Sequence, residues 1–263
     1  MHNKHLKICH PELVSGTPAL AGQYKILEFN SIDSTNTYCL KHFDNLKDKT
    51  VVSALEQTAG RGRFTRTWVS GNYENIYLSF VLKPHNFKYI ENLTQYLSVI
   101  TAKVIETYGI ETEIKYPNDV LVKGKKVCGI LCESSLKKNV IQGVVLGIGI
   151  NLNMPQEILD SIDRPATSLN IETGQTINRQ EFLNALVTEF FKNYNFAIEQ
   201  GFCAFKEDYL KRIKFLGKTV WIQQRDGAPK EEYTALKIDD RGNLIVKTYN
   251  NEQKTVLSGD LIL

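Results

Sequence analysis

KYPNDVLVKGKKVCGILCES, Lys115 to Ser134, followed by VIQGVVLGIGI, Val140 to Ile150, is the stretch that decides the fold. Its apolar residues fall in short runs at Val120–Val122, from Lys126 to Glu133 and through Val140–Ile150, with Gly124 as a turn between the first two. A parallel connection needs a crossover of roughly a dozen residues or more, and these runs leave no room for one, so they predict antiparallel hairpins. A further short strand is expected around Ile114. Upstream, TVVSALEQ (Thr50–Gln57) and NIYLSFVL (Asn75–Leu82) read as strands. Between and around them come helical patterns: one capped by Asp33 or Ser34 and carrying Tyr38, Leu40 and Phe43, and one with Leu93, Leu97, Ile100, Val104 and Tyr108 on a face that stops at Gly109. Helices bearing Phe182, Leu186, Phe190 and Tyr194, then Phe205 and Tyr209, fill the region up to Ile213. Hairpins interleaved with helices predict an α+β chain on a mixed β-sheet, not a purely parallel one.

From Leu216 the pattern changes to short alternating strands, TVWIQ, YTALKID, NLIVKT and TVLSG, broken by turns at Asp226-Gly227 and Arg241-Gly242-Asn243. A small β-barrel is expected there. Residues 1–23, with Pro11, Gly16, Pro18 and Gly22, show no sustained period and read as an irregular extension. The predicted division is an extension at 1–23, a ligand-binding body at 24–213 and a small C-terminal domain at 214–263.

The chain has 263 residues, 42% hydrophobic and 23% charged, which excludes a disordered or fibrous protein. Its 32 basic and 29 acidic residues leave +3, too little to argue for nucleic acid or a membrane from the total. No apolar run approaches the roughly 18 to 20 residues of a membrane span, and MHNKHLKICHPELVSG lacks a secretory pattern, so a cytoplasmic location is expected. The cysteines, Cys9, Cys39, Cys128, Cys132 and Cys203, are odd in number and without a C-x-x-C pair. They are expected to be reduced and buried; Cys128 and Cys132 share a strand face, but two ligands do not make a zinc site.

Four segments carry chemistry. GRGRFTRTW, Gly60–Trp68, places Arg61, Arg63 and Arg66 within a Gly- and Thr-rich loop, Thr58–Asn72, that contains no acidic residue. Guanidinium forks grip phosphate or carboxylate at two points, and glycines let backbone amides approach an oxyanion. The same composition also suits a solvated basic loop or an RNA-contacting turn. In Lys115–Ser134, Pro117 sets Asn118 and Asp119 at a strand end, Lys126 opens the next strand, and Gly129 leaves room for close approach; the same residues also suit a plain turn at Tyr116–Asp119 and a solvated hairpin tip at Lys123, Lys125 and Lys126. GIGINLN, Gly147–Asn153, offers a glycine floor for a flat ring and Asn151 for a purine edge, or serves only the packing of a buried strand. Ser34-Thr35-Asn36 serves equally as a helix cap or as hydroxyls for a ligand's polar head.

Taken together these segments resemble the biotin protein ligases, whose hallmarks are a G-R-G-R-x-x-R-x-W loop, a K-W-P-N-D segment leading to K-x-x-G-I-L, and a G-I-G-I-N strand. The resemblance spans about Tyr24 to Leu263, with Tyr116 where the family has Trp. It implies a catalytic domain related to class II aminoacyl-tRNA synthetases followed by an SH3-like barrel. The implied reaction joins biotin and ATP, with Mg2+, into biotinyl-5'-adenylate, which a carrier-protein lysine then attacks. On this resemblance Ser34, Thr35, Asn36 and Gln57 are expected to contact biotin, with Gly60, Arg61, Gly62, Arg63, Lys126 and Gly129. Arg63, Arg66, Trp68, Asn118, Asp119 and Asn151 would surround the adenylate, and Lys126, Arg63 and Asp119 would be catalytic. No metal ligands are singled out. The implied partner is a biotin carboxyl carrier protein or domain, with no membrane, and a homodimer is among the assemblies allowed. Residues 1–23 are too few for the winged helix of the bifunctional members, so a ligase-only form that does not bind DNA is expected. The rivals are a lipoate protein ligase, whose R-R-x-S-G-G-G segment is absent, and a nucleic-acid-binding module built from the arginine loop and barrel.

Overall fold

The computed structural model describes residues 13–15, 24–225, 227–256 and 259–262. Among these, eight strands form one sheet: β1 (Leu13–Ser15), β2 (Lys25–Ile32), β3 (Thr50–Gln57), β4 (Ile76–Leu82), β5 (Glu113–Lys115), β6 (Asp119–Val122), β7 (Lys125–Lys137) and β8 (Val140–Ile150). Their order is β1-β2-β3-β4-β8-β7-β6-β5. Only β2 and β3 run parallel; the other neighbours are antiparallel, so the sheet is mixed as the hairpin spacing predicted. The parallel pair is made possible by α1 (Thr35–Lys41), which carries the chain back across the sheet.

Period-two alternation divides β4 between two faces. Ile76, Leu78, Phe80 and Leu82 join the larger apolar cluster, while Val81 faces the smaller one, with Phe29, Cys39, Phe43, Val52 and Val145 beneath α1. The larger face is covered by α2 (Leu93–Glu106) and, after the short α3 (Gln156–Asp160) and α4 (Leu169–Thr173), by α5 (Arg179–Lys192). Phe80 stacks on Phe190 with ring centroids 4.2 Å apart. Helix α5 starts where Asn178 accepts the Glu181 N–H, and α6 (Tyr194–Gln200) and α7 (Lys206–Leu210) complete the layer.

The second sheet comprises β9 (Thr219–Gln223), β10 (Lys230–Ile238), β11 (Leu244–Lys247), β12 (Gln253–Val256) and β13 (Asp260–Ile262), in the order β12-β11-β10-β9-β13 with every pairing antiparallel. Val220, Ile222, Leu244, Val246 and Leu261 belong to the same apolar cluster as the large sheet. Polar bonds pin the junction: Asn92 donates to the Arg241 carbonyl at 2.8 Å and Gln95 to that of Gly242 at 2.7 Å. Gly242 sits at φ +85, where a Cβ would be strained and would lie 2.6 Å from Gln95 Oε1.

Three expectations change. Leu13–Ser15 pairs antiparallel with β2, so part of the stretch expected to be irregular is strand; the rest of residues 1–23, Cys9 included, lies outside the described residues. Cys39 and Cys128 are buried, but Cys132 is half-buried and Cys203 exposed, because Cys203 falls in a tight turn at the surface. Helix α1 ends at Lys41, before Phe43. No helix of the described residues is long and apolar enough to cross a membrane.

Candidate active site

The loop between β3 and β4 folds back over the ends of β6, β7 and β8. Its neck is closed by Trp68 N–H donating to the Gly60 carbonyl at 3.0 Å and by Gly62 N–H donating to that of Arg66 at 2.8 Å. A Cβ on Gly60 would lie 2.4 Å from both Ser70 Oγ and the Trp68 carbonyl, so glycine is what allows the neck to close. Below the loop, Gly129 of β7 and Gly149 of β8 are paired across the ladder. The Trp68 indole lies on them: a Cβ on Gly149 would be 2.4 Å from the indole Nε1, and one on Gly129 would be 2.9 Å from Trp68 and from Lys126 Nζ. The flat ring that the glycine floor was expected to accept is therefore, here, the protein's own tryptophan, whose buried N–H has no hydrogen-bond partner among the described residues.

Lys126 is fixed at its backbone, where it donates to the Pro165 carbonyl and accepts from Thr167, both at 2.9 Å. Its Nζ lies 2.7 Å from Asp119 Oδ1 and 5.3 Å from the Trp68 ring centroid. Lys115 stands 3.5 Å from the other Asp119 oxygen. Burial pushes the Asp119 carboxyl up, but Lys126 and Lys115 outweigh it and hold the carboxyl below its ordinary value. Asn118 donates to the Ile130 carbonyl at 2.9 Å and accepts from Arg63 at 3.1 Å.

Two cavities meet at this point. The smaller, about 450 Å³, is walled by Ser34, Thr35 and Asn36 of the α1 start, by Gln57, by Arg61–Arg63 and by the glycine floor. The larger, about 1340 Å³, is bounded by Arg66, Asp119, Asn151, the 161–166 segment and Asp260, and both open to solvent. Gly62, Arg63, Trp68, Asn118 and Lys126 line both. The structure thus gathers the residues singled out from the sequence, in two groups: nine of the ten with Ser34 in the first cavity and all six with Arg66 in the second. Gly60 stays off both walls and serves the neck. Asn151 gives one of its two amide N–H groups to the Thr167 carbonyl at 3.0 Å, leaving its oxygen and the second N–H.

The arginines are not unpaired charges awaiting an anion. Arg61 makes a two-point contact with Glu133, at 2.8 and 3.1 Å. Arg63 and Arg66 share Asp260 of β13, Arg63 at 3.4 Å, and Arg63 also donates to the Gly259 carbonyl at 3.1 Å. Arg164 approaches the same carboxylate at 3.5 Å. Glu133, Asp260 and Arg164 are the site residues that sequence reading missed. The absence of any acidic residue in the loop was the one signal, since it requires the counter-charges to come from elsewhere in the chain.

Comparison with known proteins agrees with this geometry. The model of the Biotin/lipoate A/B protein ligase family matches residues 28–151. The bifunctional ligase/repressor BirA of Bacillus subtilis is 34% identical over 223 residues, covering 84% of this chain and 68% of that protein. The biotin–acetyl-CoA-carboxylase ligase of Paracoccus denitrificans is 32% identical over 225 residues, covering 82% and 91% respectively. Among solved structures, the biotin protein ligase of Aquifex aeolicus in complex with biotin and ATP superimposes with a TM-score of 0.76 at 29% identity, over 90% of this chain and 97% of that one. With the arginine loop, the Asp119–Lys126 pair and the glycine floor in one site, and with identity at this level over most of the chain's length, the protein belongs to the biotin protein ligase family.

Proposed function

We propose that the chain attaches biotin to a carrier-protein lysine at the expense of ATP, through biotinyl-5'-adenylate. The observation that carries this reading is the junction of the two cavities at Arg63, Asn118 and Lys126. A carboxylate held in the smaller cavity and a nucleotide in the larger one would meet there, between two cations.

A carboxylate and a triphosphate repel each other, so the first step needs preorganised positive charge where negative charge accumulates. In this reading Lys126, steered by Asp119, and Arg63, steered by Asn118, bind the biotin carboxyl and the α-phosphate. The carboxylate oxygen attacks the α-phosphorus and pyrophosphate leaves. The closed loop keeps water from the mixed anhydride. In the second step the lysine amine attacks the acyl carbon, an amide forms and AMP leaves. Ser34, Thr35, Asn36 and Gln57 would hold the biotin head, and Arg66, Trp68 and Asn151 the nucleotide. Mg2+ enters as part of the nucleotide substrate. Among the described residues no three His, Cys, Asp or Glu side chains group together. The same reading assigns ligand binding to residues 24–213 and loop anchoring to 214–263, and takes a carboxylase carrier domain as the acceptor in the cytoplasm.

Biotin-dependent exchange of labelled pyrophosphate into ATP tests the first step, with lipoate as the control. Exchange with biotin and none with lipoate is expected; exchange with lipoate alone would reverse the substrate assignment.

A further inference from the structure

A third cavity, about 790 Å³, opens beside the two already described. It lies where the pairing of β6 with β7 ends at Asp119 and Gly129, between the start of α2, β7 and the 242–243 turn of the second sheet. Arg63 and Asn118 line all three cavities, and Ile130 and Leu131 are shared with the smaller one. Lys126 lines the first two and is absent from the walls of the third. The third cavity therefore reaches the point where a carboxyl and an α-phosphate would join, from a side that Lys126 does not occupy.

Its chemistry changes from mouth to junction. Glu91, in the turn before α2, is exposed and is the one acidic side chain on these walls among the described residues; Arg63 is the one basic side chain. Behind Glu91, Asn92 is 3% exposed and gives its two amide N–H groups to Gln95 Oε1 at 3.1 Å and to the Arg241 carbonyl at 2.8 Å. Asn92 Oδ1 is then left buried with no partner among the described residues, a costly state that an N–H donor entering the cavity would relieve. Thr94 of α2 and Cys132 of β7, both half-buried, stand on the walls. The lining suits a cation with N–H donors at the Glu91 end and disfavours one at the Arg63 end.

We propose that this cavity is the entrance for the acceptor lysine, whose side chain passes between α2 and the 242–243 turn, is received as an ammonium by Glu91 and Asn92 Oδ1, and meets the acyl carbon beside Arg63 and Asn118. This rests on the biotin reading, in which biotin fills the smaller cavity and the nucleotide the larger, so that of the three only this one is left as a path. An amine attacks only when neutral, and a cation beside it favours loss of its proton. Near Arg63 the ammonium gives one proton to water at the open mouth. The nitrogen then attacks the acyl carbon, the C–N bond forms and the C–O bond to the phosphate breaks. AMP leaves with the electron pair, and the nitrogen gives a second proton to water. Glu91 and Asn92 bind the incoming amine and take no part in forming the adenylate.

The test separates the two half-reactions on the full chain. Biotin-dependent pyrophosphate exchange reads the first; single-turnover transfer from preformed biotinyl-5'-adenylate to the carrier domain of an acetyl-CoA carboxylase reads the second. Thr94→Trp sets an indole in the cavity and is expected to slow transfer at saturating carrier roughly a hundredfold, the cost of a misplaced nucleophile. Glu91→Lys reverses the charge at the mouth and should slow transfer about tenfold, less so at high salt, while Glu91→Asp, which keeps the charge, retains most of the rate. Thr94→Trp and Glu91→Lys should both leave exchange within about twofold, since neither side chain lines the cavities of the first step. Glu91 is exposed, so Glu91→Lys decides the matter if Thr94→Trp folds poorly. Unchanged transfer, or equal losses in transfer and exchange, would overturn the entrance. So would a higher carrier concentration for half-maximal transfer with an unchanged maximum, which would make these residues a docking face only. No biotin-dependent exchange by the unaltered chain would overturn the biotin reading itself.

Discussion

Lys126 and Asp119 form the charged centre of the site, and their chemistry gives two predictions at the scale of single residues. Lys126→Ala is expected to reduce pyrophosphate exchange by roughly a hundredfold or more, the cost of removing one charge-assisted contact to a developing charge in a closed site. Folding should suffer far less, because Lys115 remains 3.5 Å from the Asp119 carboxylate and the Lys126 backbone bonds stay in place. Thermal unfolding beside the exchange assay separates the two effects; equal losses in both would remove Lys126 from the chemistry. The second prediction concerns pH. Since the folded Asp119 carboxyl is held below its ordinary 3.8, its ion pairs contribute stability above that value and lose it as pH falls through the lowered one. Activity from about pH 5 to about pH 8 should therefore show no acid limb from Asp119, and Asp119→Asn should flatten the acid dependence of stability only below about pH 4. An acid limb near pH 6 that vanishes in Asp119→Asn would contradict this.

At the scale of elements, the arginine loop is held between two sheets by two carboxylates. Glu133 on β7 takes Arg61 at the loop's entry, and Asp260 on β13 takes Arg63 and Arg66 at its tip. These pairs are partly exposed, and each alone is worth little in water, so the loop should open readily and close more firmly on an anion. Asp260→Ala is expected to speed tryptic cleavage after Arg63 and Arg66 several-fold without ligand, with protection restored by biotin plus MgATP. Equal cleavage of the unaltered chain and the variant would show that β13 does not hold the loop. The strand floor gives a further prediction: Gly149→Ala puts a methyl 2.4 Å from the Trp68 indole, so the ring must leave the ladder. Tryptophan emission should shift to the red and the KM for ATP should rise about tenfold, the loss of one closely packed aromatic contact; an unshifted spectrum would place the indole elsewhere.

At the scale of the molecule, the two sheets share one apolar cluster and a polar seam at Asn92, Gln95 and the 241–242 turn. They should unfold together. The two tryptophans, Trp68 over the large sheet and Trp221 on the small one, report the two parts separately once each is replaced by Phe in turn. Coincident transitions are expected, and Gln95→Ala should lower both by about 1 to 3 kcal/mol, the cost of an unsatisfied carbonyl at a buried junction. Transitions that separate would mean that the C-terminal sheet folds on its own.

The strands were legible in the sequence because a hairpin is a local object: a two-residue period, a turn glycine and β-branched residues act over a few neighbours. TVVSALEQ and TVWIQ match β3 and β9 residue for residue, and Val140–Ile150 matches β8. The cation-rich loop and the Asn118–Asp119–Lys126 grouping were legible for the same reason, since their spacing along β6 and β7 fixes their side-by-side position. The partners of the arginines were not. Glu133 is 72 residues from Arg61, and Asp260 is 197 from Arg63. Nor could the sequence tell that the glycine floor carries Trp68, or that Ser79 hydrogen-bonds both Asn36 and Thr35. Charge neutralisation, ring packing and hydrogen-bond direction depend on distances through space, and those exist only once β13 and α1 are docked against the large sheet.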